Sequence, residues 1–214
     1  EGENGWQWKY EQAGIWLAAA DFKADYPQVV TLLKQNLLAN PDDLPSRLSL
    51  AAAYEKAQNL RLAVETYEDA MNRSPQDIHI IAQAAVVMYK ARQYERLDEI
   101  LTLFEKQKLA HQQFSPPEFK IYQKQLGLES TEYVLDDSTL ENRDDHTVLF
   151  FLALMKMRQN KYDHAYQLLN KLKSHQQNSL PVTTALVELN IQCGKVQEAV
   201  ALCDEMVKQV GDAS

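Results

Sequence analysis

Glycine, cysteine and positive charge are all scarce in this chain. Only six glycines occur among 214 residues, at Gly2, Gly5, Gly14, Gly127, Gly194 and Gly211. They are too scattered to build the clustered loop whose backbone amides cradle a phosphate. The two cysteines, Cys193 and Cys203, show neither a CxxC pair nor a metal-ligand spacing. Buried free thiols are common, so both are expected to pack as free thiols in apolar surroundings. Lys and Arg number 22 against 30 Asp and Glu, for a net charge of −8. A general nucleic-acid binder needs clustered cations on phosphate, so no nucleic-acid partner is expected. The longest apolar run, residues 148–155, is eight residues long. A bilayer needs roughly 20, so no direct membrane span is expected. There is no signal-peptide pattern, and the chain does not start with Met, which suggests a mature form or a segment of a larger protein. The compartment stays open between cytoplasm and periplasm for a soluble chain.

Reactive constellations are missing too. No HExxH and no spaced Cys/His set occurs. Among His79, His111, His146, His164 and His175 no pair stands one helical turn apart. The acidic pairs Asp42-Asp43, Asp136-Asp137 and Asp144-Asp145 fall at turns or helix starts, where carboxylates complement the helix dipole. No catalytic residue, metal site or cofactor is expected, and the chain is read as a non-enzyme.

What the chain has instead is a stride. Tyr26, Leu60, Tyr94, Leu128, Tyr162 and Val196 are each 34 residues apart. So are Val29, Ala63, Leu97, Thr131, Ala165 and Ala199, and also Leu33, Tyr67, Leu101, Leu135, Leu169 and Cys203. An earlier ladder runs Leu17, Ala51, Ala85, Phe119, Ala153 and Val187. Within residues 44–75, Leu50, Ala51 and Tyr54 share one helix face, then Leu60, Ala63, Tyr67 and Ala70 share another. Gln58-Asn59 forms the turn between them. Small residues sit where two helices approach closely, and aromatics fill the wider gaps. Neither helix can bury its stripe alone, so each hairpin requires neighbours.

Leu50, Ala51, Tyr54, Leu60, Ala63, Tyr67, Ala70 and Pro75 resemble the signature of the tetratricopeptide repeat (TPR) family. The resemblance covers about 10–213 and implies an all-α, right-handed α-α superhelix, a TPR-like solenoid of about six helical hairpins. The expected organisation is a frayed lead-in over 1–9, three units over 10–111, a degenerate unit or hinge over 112–145, and two units over 146–214. Trp6 and Trp8 either cap the first hairpin or were once covered by a preceding unit. Pro27 is expected in the first turn of its helix. The helix over 148–157 is apolar on nearly all sides, so something beyond stacking must cover Phe150, Phe151 or Leu154. The outer face of the last helix, with Gln197, Glu198, Asp204, Glu205 and Lys208, is expected to finish the stack.

In TPR proteins the first helices line a concave groove that receives peptides or helices. Carried over by position, the partner-binding face comprises Leu48, Ala52, Lys56, Gln83, Val86, Tyr89, Lys90, Phe150, Phe151, Leu154, Arg158 and Glu188. TPR proteins that clamp acidic chaperone tails carry Asn and Lys or Arg at matching places, and this chain does not. Lys56, Lys90, Lys124 and Arg158 repeat one cation in four consecutive units. The row is either a helix-terminal charge on each helix or a basic strip that steers an acidic partner. The resemblance implies a non-catalytic scaffold for protein–protein interaction, a segment of a larger protein or assembly. The alternative is a regulatory or substrate-presenting region of an enzyme whose catalytic domain lies outside this chain. Self-association, through Trp6 and Trp8 or the Phe150 region, is a further partner expectation. Charge reversal at Arg158 with Leu154→Asp is expected to weaken partner capture and leave helicity intact.

Overall fold

A computed structural model describes residues 5–19, 21–113, 145–175 and 179–211. Residues 114–144, which make up most of the expected degenerate unit and include Lys124, lie outside them. Ten helices and no strands occur among the described residues: α1 (Trp6–Ala18), α2 (Phe22–Ala39), α3 (Leu44–Lys56), α4 (Leu60–Arg73), α5 (Ile78–Lys90), α6 (Tyr94–Gln113), α7 (His146–Arg158), α8 (Tyr162–His175), α9 (Leu180–Gln192) and α10 (Val196–Gly211). The chain divides into two compact units, Glu1–Leu97 and Asp98–Ser214. In the first, α1 packs on α2, α2 on α3, α3 on α4 and α4 on α5. In the second, α7 packs on α8, α8 on α9 and α9 on α10. The fold is all-α and built from repeated helical hairpins.

The stride of the sequence is the stride of the backbone. From α3 onward, first helices begin at Leu44, Ile78, His146 and Leu180, and second helices at Leu60, Tyr94, Tyr162 and Val196. The turns inside the hairpins repeat as well. Gln58, Arg92, Asn160 and Gly194 hold φ of +59°, +55°, +57° and +72°. The next residue in each turn donates its N–H back across the helix end: Asn59 to the Tyr54 carbonyl at 2.8 Å, Gln93 to Met88 at 2.9 Å, Lys161 to Lys156 at 2.9 Å and Lys195 to Asn190 at 2.8 Å. This is the Schellman closure, which satisfies carbonyls that the helix end leaves open. At the other end of the first helices, the side chains of Asp43, Asp77 and Asp145 accept from Ser46, His79 and Thr147 N–H groups. They cap those helices.

The first hairpin breaks the stride by four residues. Its helices begin at Trp6 and Phe22, where the stride calls for residues 10 and 26. The stretch expected to be a frayed lead-in is therefore helical from Trp6. Pro27 does not open its helix but lies inside α2. Trp6 and Trp8 do not cap the hairpin, since they are 60% and 40% exposed. Asn36 fastens it instead: its buried amide donates to the Trp6 carbonyl at 2.8 Å and to Ser46 Oγ at 3.2 Å, tying α2 to α1 and α3.

Packing follows the ladders. Leu50, Ala51, Tyr54, Ala63, Tyr67 and Ala70 are all buried where α3 meets α4. Tyr67 reaches Glu55 Oε2 with its hydroxyl at 3.5 Å. Burial, reinforced by that carboxylate, holds its phenol well above the usual value of 10. The folded protein therefore retains a proton that the unfolded chain releases near pH 10, and this contribution to stability is lost as pH rises above that value. Urea unfolding at pH 9 and pH 11 is expected to show a loss of stability that is smaller in Tyr67→Phe.

Two expectations fail at the last helix. Of its apolar positions Val196, Ala199, Val200, Cys203, Met206 and Val207, only Ala199 is buried. Cys203 is exposed and Cys193 half-buried, so neither thiol is in the core. Periodicity placed Cys203 correctly on its ladder, but among the described residues no helix follows to cover that rung. The last helix therefore presents apolar side chains to solvent as well as polar ones.

Candidate binding face

The twelve candidate residues divide by accessibility. In the first unit, α3 carries Leu48 and Ala52 one turn apart, both half-buried, and ends in exposed Lys56. α5 repeats the last two positions with half-buried Val86 and exposed Lys90, but one stride from Leu48 stands buried Ala82, and half-buried Gln83 lies beside it. Ala52 and Val86 occupy one rung, and Lys56 and Lys90 the next. Tyr89 is buried, with its ring edge-on to Tyr94 at 6.1 Å. In the second unit, residues 148–157 are buried throughout. Phe150 and Leu154 are each 4% exposed and Phe151 is 0% exposed. Phe151 meets the Phe104 ring edge-on at 5.0 Å. These residues, with Tyr89, pack the interior instead of lining an open surface. The Phe150 region is likewise no exposed self-association patch. Glu188 on α9 is half-buried.

The cation row has a use that neither expectation named. Lys56 Nζ donates to the Leu17 carbonyl at 2.7 Å and stands 4.9 Å from the centre of the Phe22 ring. Lys90 Nζ meets Glu55 Oε1 at 2.6 Å, so Glu55 joins α5 to the Tyr67 hydroxyl. Arg158 Nε donates to Asp98 Oδ1 at 2.5 Å, its Nη2 to Thr102 Oγ1 at 2.8 Å, and its Nη1 to Glu105. Gln159 adds a bond to Glu105 at 2.8 Å. Hydrogen bonding to Asp98 raises the guanidinium pKa further. Each of the three described cations, Lys56, Lys90 and Arg158, reaches back to an earlier helix and holds it. The double change of Arg158 and Leu154 therefore strikes packing, and it is expected to cost stability as well as partner capture.

Two clusters escaped the sequence reading. His146 and His175, the first residue of α7 and the last of α8, bring their rings to 5.6 Å. The antiparallel hairpin makes them neighbours, which no local spacing reveals. In the first unit, Arg61, Arg92 and Arg96 line an open cavity of about 600 Å3 together with Glu65 and Glu95. Arg61 pairs with Glu65 at 3.1 Å and Arg96 with Glu68 at 3.3 Å. Two of the three guanidinium charges are matched, which leaves the cavity little bias toward an anion. Among the described residues no group of three or more His, Cys, Asp or Glu could hold a metal ion. No described helix is long and apolar enough to cross a membrane.

No family model and no curated protein matches the chain. Solved structures do. MamA 41-end from Desulfovibrio magneticus RS-1 is 10% identical, with 94% of each chain covered and a TM-score of 0.50. MamA RS-1 ArsTM double mutant is also 10% identical, covering 96% of this chain and 98% of its own, at a TM-score of 0.50. The likeness is one of fold. It extends over nearly the whole of both chains, and at this identity it carries no residue-level correspondence.

Proposed function

We propose that the chain is a TPR-type, non-catalytic scaffold that binds a peptide or helix of a partner protein on the first helices of its first unit. The observation that supports this reading is the accessible pair repeated on α3 and α5, Ala52 with Lys56 and Val86 with Lys90. Leu48 and Ala52 precede Lys56, and Gln83 and Val86 precede Lys90, with each set only partly buried. The corresponding large residues of α7 are sealed in the interior, so the proposed face is narrower than the sequence suggested. Apolar and small side chains at turn spacing suit the anchors of an extended peptide or an amphipathic helix. A photo-reactive phenylalanine analogue in place of Val86 is expected to capture a discrete partner polypeptide from native extract, while the same group at exposed Gln35 does not. Val86→Asp in the otherwise unmodified chain is expected to weaken that partner's binding by about tenfold, roughly 1.4 kcal/mol. Equal capture from both positions, or undiminished binding by Val86→Asp, excludes the face.

A further inference from the structure

His146 and His175 meet at the open end of the α7–α8 hairpin. The other end is closed by the turn at Asn160, where the Lys161 N–H donates to the Lys156 carbonyl at 2.9 Å. His146 is half-buried and His175 exposed. Their ring centres stand 5.6 Å apart, with the planes tilted by 31°. A zinc ion bound to one nitrogen of each ring at about 2.0–2.1 Å, with a tetrahedral angle between them, holds the ring centres roughly 5 Å apart. A small side-chain adjustment covers the difference. Each imidazole has two nitrogens, so one can take a metal while the other keeps a hydrogen bond to the protein.

The surroundings accept a cation. Asp145 places a carboxylate beside His146, and its Oδ1 accepts from the Thr147 and Val148 N–H groups at 2.9 and 3.1 Å. The positive end of the α7 dipole thus has its counter-charge, and the α8 terminus that carries His175 is a negative end. Lys173 is paired with Glu205 at 2.7 Å. Lys171, one turn before His175, is exposed, where solvent and salt screen it.

We propose that His146 and His175 form a two-histidine site for a divalent transition ion, Zn2+ in the simplest case. Imidazole suits such ions, whereas Mg2+ and Ca2+ take oxygen ligands. The described residues offer no group of three or more ligands, so water completes the coordination and the affinity lies far below that of a four-ligand structural site. The ion acts as a clip. It joins the two helix ends that the turn at Asn160 leaves apart, and closing so long a loop restricts the opened chain. Binding to the folded hairpin also stabilises it by mass action. The site lies on α7 and α8 and does not rest on the partner reading of α3 and α5.

Calorimetric titration of the 214-residue chain with zinc chloride tests it. An ion is expected to bind at about pH 7.5 and to be lost toward about pH 5.5, as protons compete for the ring nitrogens. Magnesium chloride is expected to give no heat of binding. Loss of an outer-shell partner alone costs about 10–100-fold in metal affinity, so His175→Gln, at an exposed position, is expected to weaken zinc binding by at least that factor. His79→Gln, and Cys193→Ser with Cys203→Ser, are expected to bind zinc as the parent does. Zinc is expected to raise the urea midpoint of the parent and to leave that of His175→Gln unmoved. Absence of zinc binding overturns the site. So does binding undiminished by His175→Gln, or binding that disappears with the two thiols. Zinc binding that leaves the parent's midpoint unmoved overturns the clip.

Discussion

Replacing Phe151 by alanine is expected to destabilise the protein by about 3–5 kcal/mol. The ring is fully buried and meets Phe104 edge-on at 5.0 Å. Its loss removes the transfer free energy of a large aromatic, the edge-to-face contact, and the close packing around the space it leaves. All ten residues of the surrounding run 148–157 are buried, so little can collapse into the gap. In a repeat array each hairpin is supported mainly by its neighbours, and the damage should be felt first in the second unit. Urea unfolding monitored by circular dichroism checks this. A shift in midpoint of the size caused by an exposed substitution would show that the α7 interior is loosely packed. As a control, Leu103→Ala, at a side chain 49% exposed, is expected to change stability by about 0.5 kcal/mol or less.

The second large effect is expected at Arg158. Its guanidinium binds Asp98, Thr102 and Glu105 together. The side chain is 29% exposed, while those of Asp98 and Glu105 are 62% and 25% exposed. Solvent screening keeps such a network well below the value of a buried pair, but reversing the charge sets three carboxylates against one another. Arg158→Glu is expected to lower stability by about 2 kcal/mol, Arg158→Lys by less because it keeps the charge and loses the fork. Chemical denaturation in low and high salt separates the parts: the defect of the Glu variant should shrink as salt screens the repulsion. An unchanged midpoint would mean that the network adds nothing to holding α6 and α7 together.

The frame of this protein was legible because stacking demands the same residues at the same step. Leu50, Ala51, Tyr54, Ala63 and Tyr67 announced a hairpin, and the helix starts from Leu44 onward keep the step of 34. The first hairpin was less legible, since Pro27 suits a helix start and gives no sign that α2 already runs from Phe22. The candidate face was only half visible. Periodicity says which side of a helix a residue is on, but not what lies over that side. Phe151 and Val86 both fell on expected inner rows, and one is sealed while the other is not. Cys203 fell on a core ladder and is exposed for the same reason. The cation row could be seen as a row, but its acceptors are a backbone carbonyl of α1, a carboxylate of α3 and three side chains of α6. Tertiary stacking brings these together, and no short window of sequence contains them.

The reversals between paired helices have a thermodynamic consequence of their own. Gly194 enters the left-handed region freely, and Asn160 tolerates it, but Gln58 and Arg92 are there against preference, at roughly 1 kcal/mol or more each. A lone peptide spanning either of those bends gains too few contacts to offset that penalty. The bend at 58 and the bend at 92 are thus consequences of assembly and not seeds for it. Order in the first unit must arrive collectively, with neighbouring rods compelling the backbone into shapes that its own residues disfavour.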